Sequence, residues 1–204
     1  MFYGRVYYDR QGSCTKNFNV ACRVYEEAKG TIRELSTIMQ SVSPEFSFEI
    51  AMRQFDLVLQ GILLRTAMED GYFLDEERQF IEKITDYGDI IAYFNKKGIK
   101  ISWSDLNGGT DESRKELSLT MVVALKEIAD DFVTPFAIVD AAFPKDYCKE
   151  ITRQIGTICF ALAGCDGDTT DSTVFKSEAV VAVALVTKII EEKWKEVVDN
   201  CGNN

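Results

Sequence analysis

The chain has 204 residues, of which 46% are hydrophobic and 27% are charged, a composition typical of a folded, water-soluble domain. Its 33 acidic and 23 basic side chains give a net charge of −10. This charge argues against nucleic acid or anionic lipid as a main partner, because phosphate binding needs a cationic surface. Histidine is absent, which excludes Ser-His-Asp and Cys-His catalytic units and any imidazole-bound zinc or haem.

The cysteines and the apolar runs bear on the cellular location. The six cysteines are Cys14, Cys22, Cys148, Cys159, Cys165 and Cys201. No two of them form a C-x-x-C pair, so a thiolate zinc site or a redox motif is not indicated. No apolar run is long enough to span a bilayer, and the N-terminus lacks the apolar core of a signal peptide. These features predict a reduced, cytoplasmic protein without a membrane span.

The hydrophobic pattern predicts helices along the whole chain. Apolar residues recur every three or four positions from Phe18 to Met39, which indicates one face of an amphipathic helix. The next segment is apolar on more than one side, as expected of a central helix. Thr134-Pro135 reads as a cap and first turn that open a separate short helix. The predicted helices are 18–39, 47–69, 76–84, 89–95, 111–132, 135–143, 144–165 and 175–198.

This pattern predicts an all-α fold, with seven to eight helices in a single compact bundle. No alternating strand pattern of any length occurs. The segment 99–109 is the least regular part of the chain, and Trp103 within it is expected to anchor it by packing. The aromatic residues near the N-terminus are expected either to dock on the body or to form an oligomer contact.

One motif occurs twice. In each half of the chain an apolar helix runs into Asp-Gly and is followed by an acidic residue near the start of the next helix: Asp70-Gly71 precedes Glu77, and Asp166-Gly167 precedes Glu178. Glycine permits the positive φ that ends a helix, and an acidic first turn favours the helix dipole. Helix capping alone would explain the first turn.

The second turn carries more carboxylates than capping needs. Asp166, Asp168 and Asp171 lie within six residues, and Glu178 follows. Such oxygen clusters suit a hard divalent cation, calcium or magnesium. An EF-hand does not fit, because Asp171 stands where that loop needs glycine and Glu178 comes one residue too late.

The repeated turns give the chain a family resemblance. The stretch LLRTAMEDGYFLDEERQFIEKI resembles the signature of the TerB-like family, named for tellurite resistance, with Asp70, Gly71, Phe73 and Glu77 at the expected places. The second copy, FALAGCDGDTTDSTVFKSE, is similar but carries about five extra residues before Glu178. The resemblance implies a helical pseudo-repeat whose two acidic turns lie near one another, a divalent-metal site and a link to stress response.

The resemblance also implies domain bounds and a set of metal ligands. Residues 1–43 form an N-terminal extension with the first helix, 44–200 the TerB-like helical domain and 201–204 a frayed tail. The implied metal ligands are Asp70, Glu77, Asp166 and Glu178, with Asp168 or Asp171 as alternatives to Glu178 because of the extra residues before it.

Three functions remain open from the sequence. The first is a non-catalytic module that binds a divalent cation. The second is a metal-free helical scaffold for a protein partner or a second copy. The third is a carboxylate metalloenzyme, which is disfavoured because helical carboxylate sites usually include Glu-x-x-His pairs.

Overall fold

The computed structural model describes residues 3–69, 73–103, 106, 111–143, 145–165 and 173–202, and the side chains of these residues except at 3–15, 111, 173–176 and 202. The helices are α1 (Tyr3–Gln40), α2 (Phe48–Ala67), α3 (Asp75–Ile84), α4 (Ile90–Lys96), α5 (Asp111–Ala142), α6 (Tyr147–Ala163), α7 (Thr173–Val186) and α8 (Glu192–Gly202). A π-helical turn, Thr187–Glu191, joins α7 to α8. No strand occurs among these residues, and the predicted all-α bundle is confirmed.

Helix α2 forms the centre of the bundle, as its apolar pattern predicts. Side chains on all its faces are buried, including Phe55, Leu59 and Ile62, and α2 contacts α1 and each of α3 to α7. Ser47 caps its first turn by accepting the Ile50 N–H at 3.4 Å. A helix surrounded by other helices has no solvated side, which explains why its apolar residues follow no single stripe.

Helix α1 is part of the hydrophobic core. The predicted apolar face is confirmed, because Tyr25, Ala28, Ile32 and Leu35 are buried. The helix is longer than predicted and packs most extensively against α6. Helix α1 therefore contributes to the shared hydrophobic core of the bundle.

The predicted helix break at Thr134-Pro135 is wrong, since α5 runs without interruption through Pro135. Proline removes one backbone hydrogen bond from a helix interior. Here the flanking side chains are buried, and Phe132 and Phe136 contact each other edge to face with ring centroids 5.2 Å apart. Packing on both sides of the proline thus overrides the local signal. At the other end of the chain, α8 continues through Cys201 and Gly202, into the predicted tail.

None of the described helices is both long and apolar enough to cross a membrane. This agrees with the prediction that the chain has no membrane span.

The crossing of α2 and α5 depends on a glycine. A Cβ at Gly61 would overlap Cδ2 of Leu125, which is fully buried, and would lie 3.0 Å from its Cγ. We expect Gly61→Ala to destabilise the protein by about 1–2 kcal/mol, because overpacking outweighs the gain in helix propensity. Urea denaturation measures the change in free energy of unfolding.

Gly30 on α1 provides the matched control. It is exposed, and a Cβ there meets nothing within 4 Å, so Gly30→Ala should stabilise the protein by about 0.5–1 kcal/mol. Equal effects of the two substitutions would contradict the proposed close contact between Gly61 and Leu125.

Candidate functional site

Two of the six predicted ligands lie among the described residues. Glu77 in the first turn of α3 is 4% exposed, and Glu178 near the start of α7 is 3% exposed. Asp70, Asp166, Asp168 and Asp171 lie outside the described residues. Carboxylates are rarely buried to this degree unless they are paired, hydrogen-bonded or bound to a cation.

Glu77 caps the helix on which it lies. Its Oε2 accepts the backbone N–H of Leu74 at 2.7 Å, and Leu74 occupies the N-cap position. Leucine has no side-chain oxygen that could accept a hydrogen bond. The capping contact therefore comes from the Glu77 side chain, three residues later, which accepts the N-cap backbone N–H. Helix α3 begins one residue earlier than predicted: Asp75 is its first helical residue, is 81% exposed and pairs with Arg78 at 3.4 Å.

An aromatic stack lies beside the first acidic turn. Phe73, the first described residue after that turn, is buried, and its ring stacks on Trp103 with centroids 5.7 Å apart and planes within 5°. The prediction that Trp103 anchors its segment by packing is confirmed. Trp103 also places an indole near the first turn, where its fluorescence can report changes in the surroundings.

The end of α6 lies against α1. The Gly164 carbonyl accepts a hydrogen bond from Asn17 Nδ2 at 2.7 Å, and a Cβ at Gly164 would lie 2.7 Å from the same nitrogen. Glycine at this position therefore allows the close approach of the two helices. Cys165, the next residue, is fully buried and disulfide-bonded.

The same stretch of α1 also contacts α3. Phe18, next to Asn17, packs edge to face on Phe80 with ring centroids 5.4 Å apart. Phe80 lies three residues after Glu77, on the same side of α3, and both are buried. Two adjacent residues of α1 thus contact two other helices. One is α6, whose end leads into the second acidic turn, and the other is α3, which follows the first acidic turn.

Sequence reasoning missed a buried polar network around α2. Asp56 accepts the Tyr25 hydroxyl at 2.9 Å on Oδ1 and the Tyr87 backbone N–H at 2.7 Å on Oδ2. One turn later on α2, Gln60 accepts the Ile90 N–H at 2.9 Å and donates to the Gly88 carbonyl at 3.2 Å. These bonds hold the segment 85–90 between α3 and α4. The sequence carried a detectable signal, because two polar residues four positions apart interrupt the run 55–64, which is otherwise apolar.

Burial raises the pKa of two side chains in this network, Asp56 and Tyr25. Desolvation of the Asp56 carboxyl raises its pKa to about 6, although the N–H of Tyr87 and the hydroxyl of Tyr25 oppose the shift. Desolvation and the neighbouring Asp56 also raise the pKa of Tyr25. Because Asp56 holds the 85–90 segment in place, we assign the network a structural role.

A groove of about 410 Å³ lies where α5 ends, α6 begins and α8 passes; it includes Asp140, Cys148, Glu191, Trp194 and Lys195. Asp140 accepts the backbone N–H groups of Tyr147 and Cys148 at 3.0 and 2.9 Å, and this caps α6. Desolvation raises the pKa of Asp140, although these two N–H groups and the nearby Trp194 indole oppose the shift. The buried Trp194 Nε1 itself makes no hydrogen bond.

The cysteines of this region are poor nucleophiles. Desolvation raises the pKa of Cys148 in the groove, and of the fully buried Cys159, to about 12 each. A thiol with such a pKa stays protonated near neutral pH, whereas the thiolate is the reactive form.

Among the described residues, no three cysteine, aspartate or glutamate side chains cluster closely enough to hold a metal ion. Comparison of the chain with protein-family models, curated proteins and solved structures gave no match. The resemblance to the TerB-like family therefore stays a prediction.

Proposed function

We propose that the protein is a non-catalytic, TerB-like module that binds one divalent cation, calcium or magnesium, through its two acidic turns. The observation that carries the proposal is the burial of Glu77 and Glu178, the two glutamates that the repeated motif singles out. A cation between the two turns would add to the contacts that these buried carboxylates already make within the chain. Oxygen ligands from carboxylates are those that calcium and magnesium prefer.

The packing of α1 supports a shared site. Asn17 and Phe18 are adjacent, and one contacts the end of α6 while the other contacts α3. Packed helices lie about 8–10 Å apart, so the two acidic turns start from neighbouring parts of the bundle. The capping bond from Leu74 to Glu77 is compatible with metal binding, because a carboxylate offers about four acceptor positions.

Calorimetric titration with calcium, magnesium, manganese and zinc tests the proposal. We expect at least one of them to release or absorb heat and to raise the Tm, because a ligand that binds only the folded state stabilises it. Glu77→Gln keeps an oxygen for the Leu74 cap, so it should weaken the cation affinity tenfold or more without unfolding α3. Asp75→Asn, on the same turn but exposed, is the matched control and should bind like wild type.

Fluorescence of Trp103 gives a second readout. The other tryptophan, Trp194, is remote from the acidic turns in sequence. In this experiment it is replaced by phenylalanine, so that all tryptophan fluorescence comes from Trp103. The absence of both heat and a Tm shift with all four cations, together with an Asp70→Ala/Asp166→Ala double variant that behaves like wild type, would overturn the proposal.

A metal-free scaffold is the second candidate, and exposed apolar side chains favour it. Val180 and Val183 on α7 and Leu119 and Val123 on α5 are exposed, with Val180 and Leu119 both at 69%. On each helix the two side chains lie three or four positions apart and form an exposed apolar pair, and exposed apolar surface often marks a protein interaction site. This function predicts indifference to chelators and a stable dimer or partner complex, which light scattering detects. Val180→Lys should then disrupt the complex without lowering the Tm.

A further inference from the structure

The groove between α5, α6 and α8 receives carboxylates from three elements. Asp140 lies near the end of α5, Asp146 is the N-cap of α6, and Glu191 ends the π-helical turn. Desolvation raises the pKa of Cys148, which also lines the groove, and all three carboxylates raise it further. Their negative charges therefore act on one place, although they come from separate parts of the chain.

The two lysines of the groove do not cancel this charge. Lys145 is paired with Glu34, an acidic residue outside the groove. Lys195 lies four residues after Glu191, a spacing that allows an ion pair on a helix. In the part of the chain that the structure describes, however, neither Glu191 nor Lys195 makes an ion pair. The groove is thus suited to a cation from outside the chain.

The Trp194 indole gives an independent sign of a ligand. It is 2% exposed, and its Nε1 has no hydrogen-bond partner among the described residues, whereas a buried indole usually has one. This nitrogen lies close enough to Asp140 to oppose the desolvation that raises the pKa of that carboxyl. Each Asp140 oxygen accepts one backbone N–H and can accept another bond. A hydroxyl can accept from the indole and donate to Asp140 at the same time.

The π-helical turn determines which side chains face the groove. Thr187–Glu191 lies directly before the segment that carries Trp194 and Lys195. One additional residue in a helical turn rotates the side chains that follow it by about 100°. Turns of this kind are rare and frequently lie at functional sites. Here the turn ends in a groove residue, and the next two groove residues follow within four positions.

We propose that this groove binds a small organic cation in which a hydroxyl lies next to an ammonium group, that is, an amino alcohol. The hydroxyl bridges Trp194 Nε1 and Asp140, and the ammonium pairs with Glu191 and Asp146. Val198 contacts the carbon skeleton. A bare metal ion does not fit, because no three acidic side chains among the described residues cluster closely enough to hold one. The volume of about 410 Å³ lies within the range of small-molecule sites.

An NMR titration of the indole N–H signals tests the site on the full chain. The chain has two tryptophans, and the signal of Trp194 is the one that Trp194→Phe removes. The probe is aminocyclohexanol with its two polar groups on adjacent ring carbons. We expect it to shift the Trp194 signal saturably, because the indole gains an acceptor, and to leave the Trp103 signal unchanged. Cyclohexylamine lacks the hydroxyl and cyclohexanediol lacks the ammonium, so each should bind about tenfold more weakly.

Two variants test the charge in the groove. Glu191→Gln removes one negative charge and should weaken binding of aminocyclohexanol about tenfold. Glu192→Gln is the matched control, because Glu192 is exposed and does not line the groove, and it should bind like wild type. Lys195→Met removes a competing cation and should strengthen binding about twofold to fivefold.

Three results would overturn the proposal. The first is a Trp194 signal that aminocyclohexanol leaves unchanged up to its solubility limit. The second is an equal response to all three compounds, and the third is equal binding by Glu191→Gln and Glu192→Gln. None of the groove residues belongs to either acidic turn, so these results are independent of divalent-cation binding there.

Discussion

Replacing Asp56 with asparagine is expected to abolish a pH dependence of stability, because the wild-type protein should lose about 2 kcal/mol of its free energy of unfolding between pH 4.5 and 7.5. Burial raises the pKa of Asp56 to about 6, above the value of about 3.9 for an unfolded aspartate. The folded protein therefore binds the proton more tightly, and this stabilisation is present below pH about 4. It is lost as the pH rises through 6, at about 1.4 kcal/mol for each unit of pKa difference.

Urea denaturation at several pH values measures this effect as the difference between wild type and Asp56→Asn. Taking the difference removes the contributions of other groups, and the groups nearest to Asp56 are Tyr25 and Asp86. Asp89→Asn is the control: Asp89 is exposed and caps α4 through the Ala92 N–H, a role that asparagine fills equally well. If the difference between wild type and Asp56→Asn stays constant across this pH range, the raised pKa is refuted.

Replacing Gly88 with alanine is expected to destabilise the protein by about 2–4 kcal/mol and to lower the Tm by roughly 5–15 °C. A Cβ at Gly88 would lie 2.7 Å from the Asp56 Cβ and 3.0 Å from the Asp56 carbonyl carbon. These atoms belong to the central helix α2 and cannot move aside, so the segment 85–90 must move away from α2. This movement would also weaken the bonds that Asp56 and Gln60 make to this segment.

Gly98 provides a contrasting control for Gly88. It has a φ of +84°, and a Cβ added there would meet nothing within 4 Å, so alanine costs about 1–2 kcal/mol through its backbone conformation alone. Asparagine tolerates this conformation and should recover most of the loss at Gly98, but at Gly88 it should be at least as damaging as alanine. Thermal and urea denaturation distinguish the two cases. Recovery by asparagine at Gly88 would contradict the steric explanation.

The helices were predictable where the local pattern agrees with the packing. The apolar spacing of α1 and the all-round apolar surface of α2 predict both elements and the central place of α2. At Pro135 the local pattern predicts a helix break that the structure does not have. The effect of this proline depends on Phe132 and Phe136, whose burial against other helices is a property of the assembled bundle.

The candidate site was predictable in part. The repeated motif locates Glu77 and Glu178 near helix starts, but acidic residues there are usually solvated, so nothing local predicts their burial. The bond of Asp56 to Tyr25 joins residues 31 positions apart, and no spacing rule reveals such a pairing. The disulfide at Cys165 contradicts the prediction of a fully reduced chain, because a sequence carries no signal for which cysteines pair.

The pairing of α1 with α6 has a consequence for biosynthesis. Helix α1 ends at Gln40, whereas α6 is complete only at Ala163. At a translation rate of about 5–20 residues per second, the apolar face of α1 waits on the order of ten seconds for its main partner. We expect this delay to leave apolar residues of α1 exposed on the nascent chain, where a chaperone that shields apolar segments can bind them.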